Sequence, residues 1–157
     1  MPIEVLRVGV GHRRPDGPPG TIGISGRVIH NDARGLVSEL AFTRGARIEP
    51  HSNPNTTYFI VIEGGGWVAV ADERVRVAAG EAVVWPPDIE HSAWTDYGEM
   101  RAFVVEFGGA DDAAVRGILS GEARAVGPGQ SVGRGEGALA GRDVDPTRLD
   151  RSSGEPL

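Results

Sequence analysis

The sequence contains no lysine, no cysteine and no long apolar run, and each absence excludes a class of protein. Without cysteine, the chain can form neither disulfides nor thiolate metal sites. Nowhere does it contain the ~18 consecutive apolar residues that a membrane-spanning helix needs. Its N-terminus also lacks the apolar core and small-residue cleavage site of a secretion signal. These absences predict a cytoplasmic protein without a membrane partner.

The charge pattern argues against one further class of partner. The formal net charge is −6, and the 16 basic residues are all arginines. They are scattered along the chain, so the clustered basic surface of a nucleic-acid-binding protein is not evident. We therefore expect no nucleic-acid partner.

Length and patterning predict one all-β domain. A chain of 157 residues with 39% hydrophobic content can bury the core of one domain. Short apolar runs separated by glycine dominate residues 20–107, which is typical of a β-sandwich or barrel. The predicted strands are 22–30, 36–43, 46–51, 57–63, 66–71, 74–78, 82–85, 91–95 and 100–107. Hairpin connections are predicted at 64–66 and 71–73, so that 57–63 would pair with 66–71, and 66–71 with 74–78.

The two flanks of this region differ from it in composition. Residues 1–20 predict a strand at 3–9 followed by an exposed loop, and the barrel itself is predicted at 21–108. Residues 109–121 predict a short helix with acidic residues near its N-terminal end. Residues 122–157 are rich in glycine, proline, serine and charge, which predicts a flexible tail.

The first candidate site segment places polar residues at fixed spacing around His51. Five residues separate Gly45 from His51, one residue separates His51 from Asn53, and three separate Asn53 from Thr57. A further six residues lead to Gly64. In an extended strand, alternate side chains face the same side, so we expect Arg47, His51 and Asn53 to share one face, and Thr57 and Phe59 to share a face of the following strand.

The second candidate segment delivers another histidine. Five residues separate Gly80 from Pro86, and Asp88, His91 and Thr95 follow at intervals of one, two and three intervening residues. The fixed φ of proline at this corner would orient the strand that carries His91.

These two segments resemble the two motifs of the cupin family. In that family the first motif runs Gly, five residues, His, one, His, three or four, Glu, six, Gly. The second motif runs Gly, five residues, Pro, one, Gly, two, His, three, Asn. The spacing of both motifs is kept here, with substitutions at Asn53, Thr57, Asp88 and Thr95, and the resemblance covers roughly residues 36–107. The resemblance implies a single jelly-roll β-barrel.

The resemblance also implies a site in which metal is one of two alternatives. Family members that bind metal use three histidines and one glutamate, of which this chain keeps His51 and His91. One alternative is a divalent metal (Zn, Fe, Ni or Mn) held by these two imidazoles, with Asn53 as a weak third ligand. The other is a metal-free pocket in which the histidines bind water or an organic ligand.

Further residues are candidates for contacting a small-molecule ligand. Asn53 and Thr57 would supply polar contacts, and Arg47 could bind a carboxylate or phosphate through two hydrogen bonds. Aromatic residues near the motifs could line an apolar pocket. For each candidate, a role in core packing or on the solvated surface is the alternative. The full set is Arg47, Asn53, Thr57, Phe59, Trp94 and Phe103.

Three functions are compatible with these residues. The first is a binding module for a small metabolite, either with or without a divalent metal held by two histidines. The second is a metal-dependent enzyme of the oxygenase or isomerase type. The third is a structural protein with an inert pocket. The family resemblance and the exposed edges of such a barrel also lead us to expect a homodimer.

Overall fold

The computed structural model describes residues 2–15, 17 and 19–108. The predicted helix at 109–121 and the predicted tail at 122–157 lie outside these described residues. The described part contains seven β-strands and no helix, and so none that is long and apolar enough to cross a membrane. The strands are β1 (Thr21–Asn31), β2 (Gly35–His51), β3 (Asn55–Val70), β4 (Glu73–Ala78), β5 (Ala82–Trp85), β6 (His91–Trp94) and β7 (Met100–Gly108).

Two long strands close the barrel. The first half of β2 pairs with β7 and its second half pairs with β6. In the same way, the first half of β3 pairs with β7 and the second half with β6. The ring of pairings β2, β6, β3, β7 and back to β2 is therefore complete, and all of it is antiparallel. β1 extends it beside β2, and β4 and β5 extend it beside β3. This architecture confirms the predicted all-β jelly-roll barrel.

The predicted hairpin at 64–66 is wrong, because these glycines lie inside β3. Gly64 has a φ of 67°, and a Cβ built there would lie 2.0 Å from the carbonyl oxygen of Glu99. The register of β3 against β7 shifts just before it, between Val61 and Glu63. The glycine thus lets one continuous strand bend, so that it pairs with β7 before the bend and with β6 after it. As a result, residues 57–63 pair with β5 and β7 and not with 66–71.

The other predicted hairpin is confirmed, and two predicted strands merge. Val70 and Glu73 are paired residues of β3 and β4, and Ala71 between them has a φ of 51°. The predicted strands 36–43 and 46–51 form the single strand β2, which continues through Gly45 at a φ of 65°.

Side chains that alternate along the strands form one apolar core inside the barrel. Phe42 and Phe59 meet edge to face, with ring centroids 5.9 Å apart. Burying side chains of this size contributes about 1.5–3 kcal/mol each. The most deeply buried apolar members are Phe59, Trp85, Ala93, Ala102, Ala46, Val61, Val68 and Val104.

The N-terminal segment lies on the outside of the barrel, and the predicted strand at 3–9 is not formed. It is fastened there through Glu39, a carboxylate with 0% exposure. The backbone N–H of Gly9 and the guanidinium of Arg13 donate to Oε1 of Glu39, and Arg101 donates to Oε2 at 2.8 Å. Burial alone would raise the pKa of Glu39, but hydrogen bonds and charge from the two arginines outweigh it and hold the pKa below its ordinary value.

Candidate functional site

The two motif histidines meet inside the barrel. His51 ends β2 and His91 begins β6, and they are paired residues of the two strands. Their ring centroids lie 4.5 Å apart at an interplanar angle of 68°. His91 is buried with 2% exposure, whereas His51 is partly exposed. The predicted convergence of these residues is therefore present, with His51 on the solvent side.

Each histidine ring is oriented by the backbone in the same way. Nδ1 of His51 lies 2.8 Å from the carbonyl oxygen of Glu49, and Nδ1 of His91 lies 2.9 Å from that of Ile89. Because a carbonyl only accepts, Nδ1 must carry the proton in both rings. In the neutral imidazoles, Nε2 is then the nitrogen that holds the lone pair. This tautomer suits acceptance of a hydrogen bond or ligation of a metal.

A column of stacked rings connects His91 with the core. The Trp85 ring lies 4.3 Å from the His91 ring at an interplanar angle of 16°. On the other side, Trp85 stacks on Phe59 with centroids 5.0 Å apart. Trp85 has 0% exposure, and its Nε1 has no hydrogen-bond partner among the described residues. Phe59, one of the predicted ligand-binding residues, therefore supports the site through the indole.

A buried polar row crosses the interior beside these rings. Thr57 is paired with Trp85 of β5 on one side and with Glu106 of β7 on the other. Thr57 has 0% exposure and Glu106 has 1%. The side-chain amide of Asn55 donates to Oε1 of Glu106 at 2.6 Å.

Glu106 and Asn55 are site residues that the sequence interpretation missed. Alternation along β7 carried the necessary signal, because Ala102, Val104 and Glu106 share one face and the first two are buried. A carboxylate that lies at alternate positions with buried apolar residues of the same strand is expected to face the interior of the barrel.

Asn53 follows His51 by two residues, and two of its hydrogen bonds shape the loop between β2 and β3. It has 3% exposure, and its Oδ1 accepts the backbone N–H of Asn55 at 3.0 Å. Its backbone oxygen accepts the N–H of Asp88 at 2.7 Å. Asp88 stands where the family motif has glycine, and it adopts a φ of 66°. The backbone conformation of the motif is therefore kept despite the substitution.

Three predicted ligand-binding residues lie outside the barrel. Arg47 is exposed and pairs with Glu49 at 2.8 Å. A bulge between Ile48 and His51 breaks the alternation that would otherwise place Arg47 on the His51 face.

The other two residues lie on outward-facing positions of their strands. Trp94 alternates with the buried Ala93 and stacks on Trp67, with centroids 6.3 Å apart. Phe103 lies between the inward residues Ala102 and Val104 and packs beneath the guanidinium of Arg101. The prediction that they line the interior site is wrong.

The donor set does not complete a metal site of the family type. His51 and His91 offer two imidazoles in the appropriate tautomer. Among the described residues, no group of three histidine, cysteine or acidic side chains is arranged to hold an ion. The Oδ1 of Asn53 already accepts a backbone hydrogen bond. Two imidazoles alone make a weak site, because protein-bound zinc ordinarily has three or four protein ligands.

A separate groove of about 430 Å³ lies between the N-terminal segment and the barrel. Its walls include Val10, Arg13, Glu63 and Arg101, and neither motif histidine lines it. Both arginines are already bonded to Glu39, and Arg101 also binds Glu63 at 3.0 Å. Its charged groups therefore serve to fasten the N-terminal segment.

The sequence model of the family described as "cupin domain" matches residues 39–106. These residues form a cupin domain. The match begins in β2 and ends at Glu106 in β7, so it spans the closed ring of strands together with both histidine segments. A comparison with the curated proteins found no match.

Solved structures share the cupin fold at low sequence identity. The polyketide cyclase RemF from Streptomyces resistomycificus is 23% identical, with a TM-score of 0.59 over 68% of this chain and 80% of that one. KdgF from Halomonas sp. is 22% identical, with a TM-score of 0.51 over 54% and 78%. An RmlC-like cupin from Shewanella frigidimarina is 20% identical, with a TM-score of 0.51 over 55% and 78%. At these identities the likeness concerns the fold alone.

Proposed function

We propose that this cupin domain binds a small organic molecule at the polar end of its barrel. His51, Thr57, Trp85, His91 and Glu106 would form the contact set. The observation that carries the proposal is the indole Nε1–H of Trp85, which is buried beside other polar groups and has no hydrogen-bond partner in the part of the chain that the structure describes. A buried donor without an acceptor is costly, and a ligand oxygen would satisfy it.

The arrangement of the two histidines supports the same proposal. Each donates its Nδ1 proton to a backbone carbonyl, so their ring orientations are fixed before any ligand arrives. Preorganised polar groups reduce the entropy cost of binding. His51 is partly exposed, which gives this end of the barrel a route to solvent.

The test is ligand-observed NMR with a library of small organic molecules. Molecules that bind the parent should bind about 5- to 150-fold more weakly to Thr57→Leu and His91→Gln, because a buried group that loses its partner costs about 1–3 kcal/mol. His12→Ala and His30→Ala are the controls, since both residues are exposed. Equal binding to all four variants would place the ligand elsewhere.

A divalent metal held by His51 and His91 is the second candidate, and the shared tautomer of the two rings favours it. Elemental analysis of protein purified without chelator or histidine tag tests this candidate. One metal per chain, lost in His91→Ala, would support it. A metal-dependent enzyme of the oxygenase or isomerase type requires that same result, because its chemistry would need the metal.

We also propose that two copies pair through a sheet edge. β4 ends the strand order, and among the described strands it pairs with β3 alone. Val75 on β4 is 53% exposed. An exposed edge strand offers unpaired backbone groups to a second chain. Sedimentation should show a dimer that Val75→Pro converts to a monomer, and a monomeric parent protein would contradict the proposal.

A further inference from the structure

The outer face of the barrel carries a row of aromatic and basic side chains across four strands. Arg47 of β2 is paired with Trp94 of β6, and Trp94 is paired with Trp67 of β3. Trp67 is paired in turn with Arg76 of β4. Directly paired residues of antiparallel strands lie on the same face of the sheet, so the four side chains form one continuous surface. Trp67 alternates with the buried Val68, which places this row on the outside.

Three kinds of contact hold the Trp67 ring in place. It stacks on Trp94 with centroids 6.3 Å apart at an interplanar angle of 10°. Its Nε1–H donates to Oδ2 of Asp96 at 3.0 Å. The guanidinium carbons of Arg74 and Arg76 each lie 5.5 Å from the centroid of the Trp67 ring. The surface is therefore ordered before any partner arrives, which lowers the entropy cost of binding.

The two arginines of β4 lack an acidic partner. Both are exposed, and within the described segments neither Arg74 nor Arg76 forms an ion pair. At the other end of the row, Arg47 is already bonded to Glu49 at 2.8 Å. A guanidinium stacked over a ring still presents its N–H groups at its edges, where a carboxylate can bind. The β4 end of the row thus offers two cations beside two aromatic rings.

We propose that this outer face docks an extended acidic segment of a partner protein, with acidic residues on Arg74 and Arg76 and an aromatic residue on Trp94. Two carboxylates match the two guanidinium groups, whereas a longer polyanion such as a nucleic acid would also meet the net charge of −6. The interaction involves none of the interior residues, so it stands apart from the proposed small-molecule binding.

The spacing of the row suits an extended segment. The backbones of Trp94 and Arg76 are two strand spacings apart, about 10 Å. In an extended chain, side chains two positions apart face the same side at an interval of about 7 Å, and long side chains span the difference. An acidic residue two positions from an aromatic one can therefore contact both ends of this distance.

The test follows the indole N–H signals of the unmodified protein by proton–nitrogen NMR. The chain has three tryptophans, and Trp67→Phe, Trp85→Phe and Trp94→Phe assign their signals. The probe is the acetylated and amidated pentapeptide Glu-Thr-Glu-Thr-Phe, whose glutamates and phenylalanine share one side when it is extended. The matched peptide Gln-Thr-Gln-Thr-Phe lacks the charges.

The acidic peptide should shift the signals of Trp67 and Trp94 and leave that of Trp85 in place. It should bind about 2- to 30-fold more tightly than the neutral peptide, because two exposed ion pairs form with it. Raising the salt concentration to about 0.5 M should weaken the acidic peptide and not the neutral one.

Paired substitutions assign the preference to β4. Arg74→Gln with Arg76→Gln removes both guanidinium groups, so this variant should bind the two peptides equally. The matched control is Arg7→Gln with Arg34→Gln, which removes the same charge from two exposed positions outside the row. This control should keep the preference for the acidic peptide.

Four results would overturn the proposal. The first is equal binding of the two peptides to the unmodified protein, or no shift with either of them. The second is a larger shift of the Trp67 and Trp94 signals with an eight-nucleotide oligothymidylate than with the acidic peptide, which would assign the face to nucleic acid. The third is a shift of these two signals on dilution without peptide, which would assign the face to a second copy of the chain. The fourth is a shift of the Trp85 signal alone, which would place the peptide inside the barrel. Because the peptide comparison needs no substitution, a variant that does not fold cannot hide the result.

Discussion

The indole ring of Trp85 lies almost parallel to the imidazole of His91, with ring centroids 4.3 Å apart. Because Trp85 also stacks on Phe59, the site histidine is held in place by the hydrophobic core. A core substitution that shifts Trp85 should therefore displace the ring of His91 more than it displaces side chains on the exposed strands.

Truncation of the Trp85 side chain measures how much this stack of rings contributes to the free energy of unfolding. Trp85→Ala should lower the free energy of unfolding by about 3–5 kcal/mol, as for other large buried aromatic residues. Trp85→Phe should cost less, about 1–2 kcal/mol, because it keeps a ring against Phe59 and removes an N–H that has no partner among residues 2–15, 17 and 19–108. Urea denaturation provides the measurement. Trp94→Phe on the outer face is the control, and a loss there equal to that of Trp85→Ala would contradict the assigned positions.

Substitution of two glycines can distinguish the energetic cost of backbone strain from the cost of steric overlap. Gly45 and Gly64 have nearly the same φ, 65° and 67°. A Cβ at Gly45 would meet nothing within 4 Å, whereas one at Gly64 would lie 2.0 Å from a backbone oxygen. Gly45→Ala should cost about 1–2 kcal/mol, the penalty of the left-handed conformation.

Gly64→Ala should cost at least about 2 kcal/mol more than Gly45→Ala, because the overlap adds to the same strain. Thermal and urea unfolding of the two variants give the comparison. Equal losses would mean that β3 can shift at its bend without penalty.

The buried carboxylate of Glu39 should make stability depend on acid pH. Its folded-state pKa lies below the ordinary value of 4.5. The stabilisation is therefore fully present above that value and is lost as the pH falls through the lower, folded-state pKa. Stability measured by urea unfolding from pH 7 down to pH 3 should fall in this window.

Glu39→Gln should remove that part of the pH dependence and cost about 3–5 kcal/mol at pH 7, because two arginines lose a buried partner. Glu63→Gln is the matched control, since Glu63 binds the same Arg101 from an exposed position. If Glu39→Gln and the parent lose stability in parallel below pH 5, other carboxyl groups cause the acid sensitivity.

Restoring the family ligands should create a strong metal site. Asn53→His with Thr57→Glu supplies a third imidazole and an anionic oxygen beside His51 and His91. Thr57 is paired directly with Glu106, so the new carboxylate would face an existing one. We therefore expect the strongest effect when Glu106→Gln is added.

In that triple variant, calorimetry should show Zn²⁺ affinity at least about tenfold above the parent. The affinity should be lost on acidification, because protonation removes the imidazole lone pairs. The control is the same variant with His91→Ala. Zinc affinity no higher than that of the parent would show that position 53 or 57 does not face the histidines.

The spacing that carries the cupin resemblance predicted the fold and the meeting of the histidines, and the resemblance also predicted the interior position of Thr57. These patterns are local and survive substitution, as the φ of Asp88 at the motif's glycine position shows. The outward position of Arg47 could not be predicted from the sequence. A bulge before His51 reverses the alternation of side chains, and no sequence pattern reveals this bulge.

Trp94 and Phe103 illustrate a different error. Nearness to a motif in sequence does not place a side chain in the site, whereas the parity of its neighbours does. Ala93, Ala102 and Val104 are buried, so the residues between them face outward. The same parity would have identified Glu106. The stacking of Trp85 on His91 joins two strands that are not paired with each other, so only the closed barrel reveals it.

Because β2 and β3 each pair with both β6 and β7, no strand of this ring can detach without breaking pairings on both of its sides. Contacts between residues far apart in sequence must form together, which slows folding relative to proteins built from local contacts. The short connection from His51 to Asn55 joins the ends of these two strands, so the site forms only when both strands are in place. A protein built in this way should unfold in a single cooperative step, and a ligand bound between the histidines and Glu106 would slow that step for the entire domain.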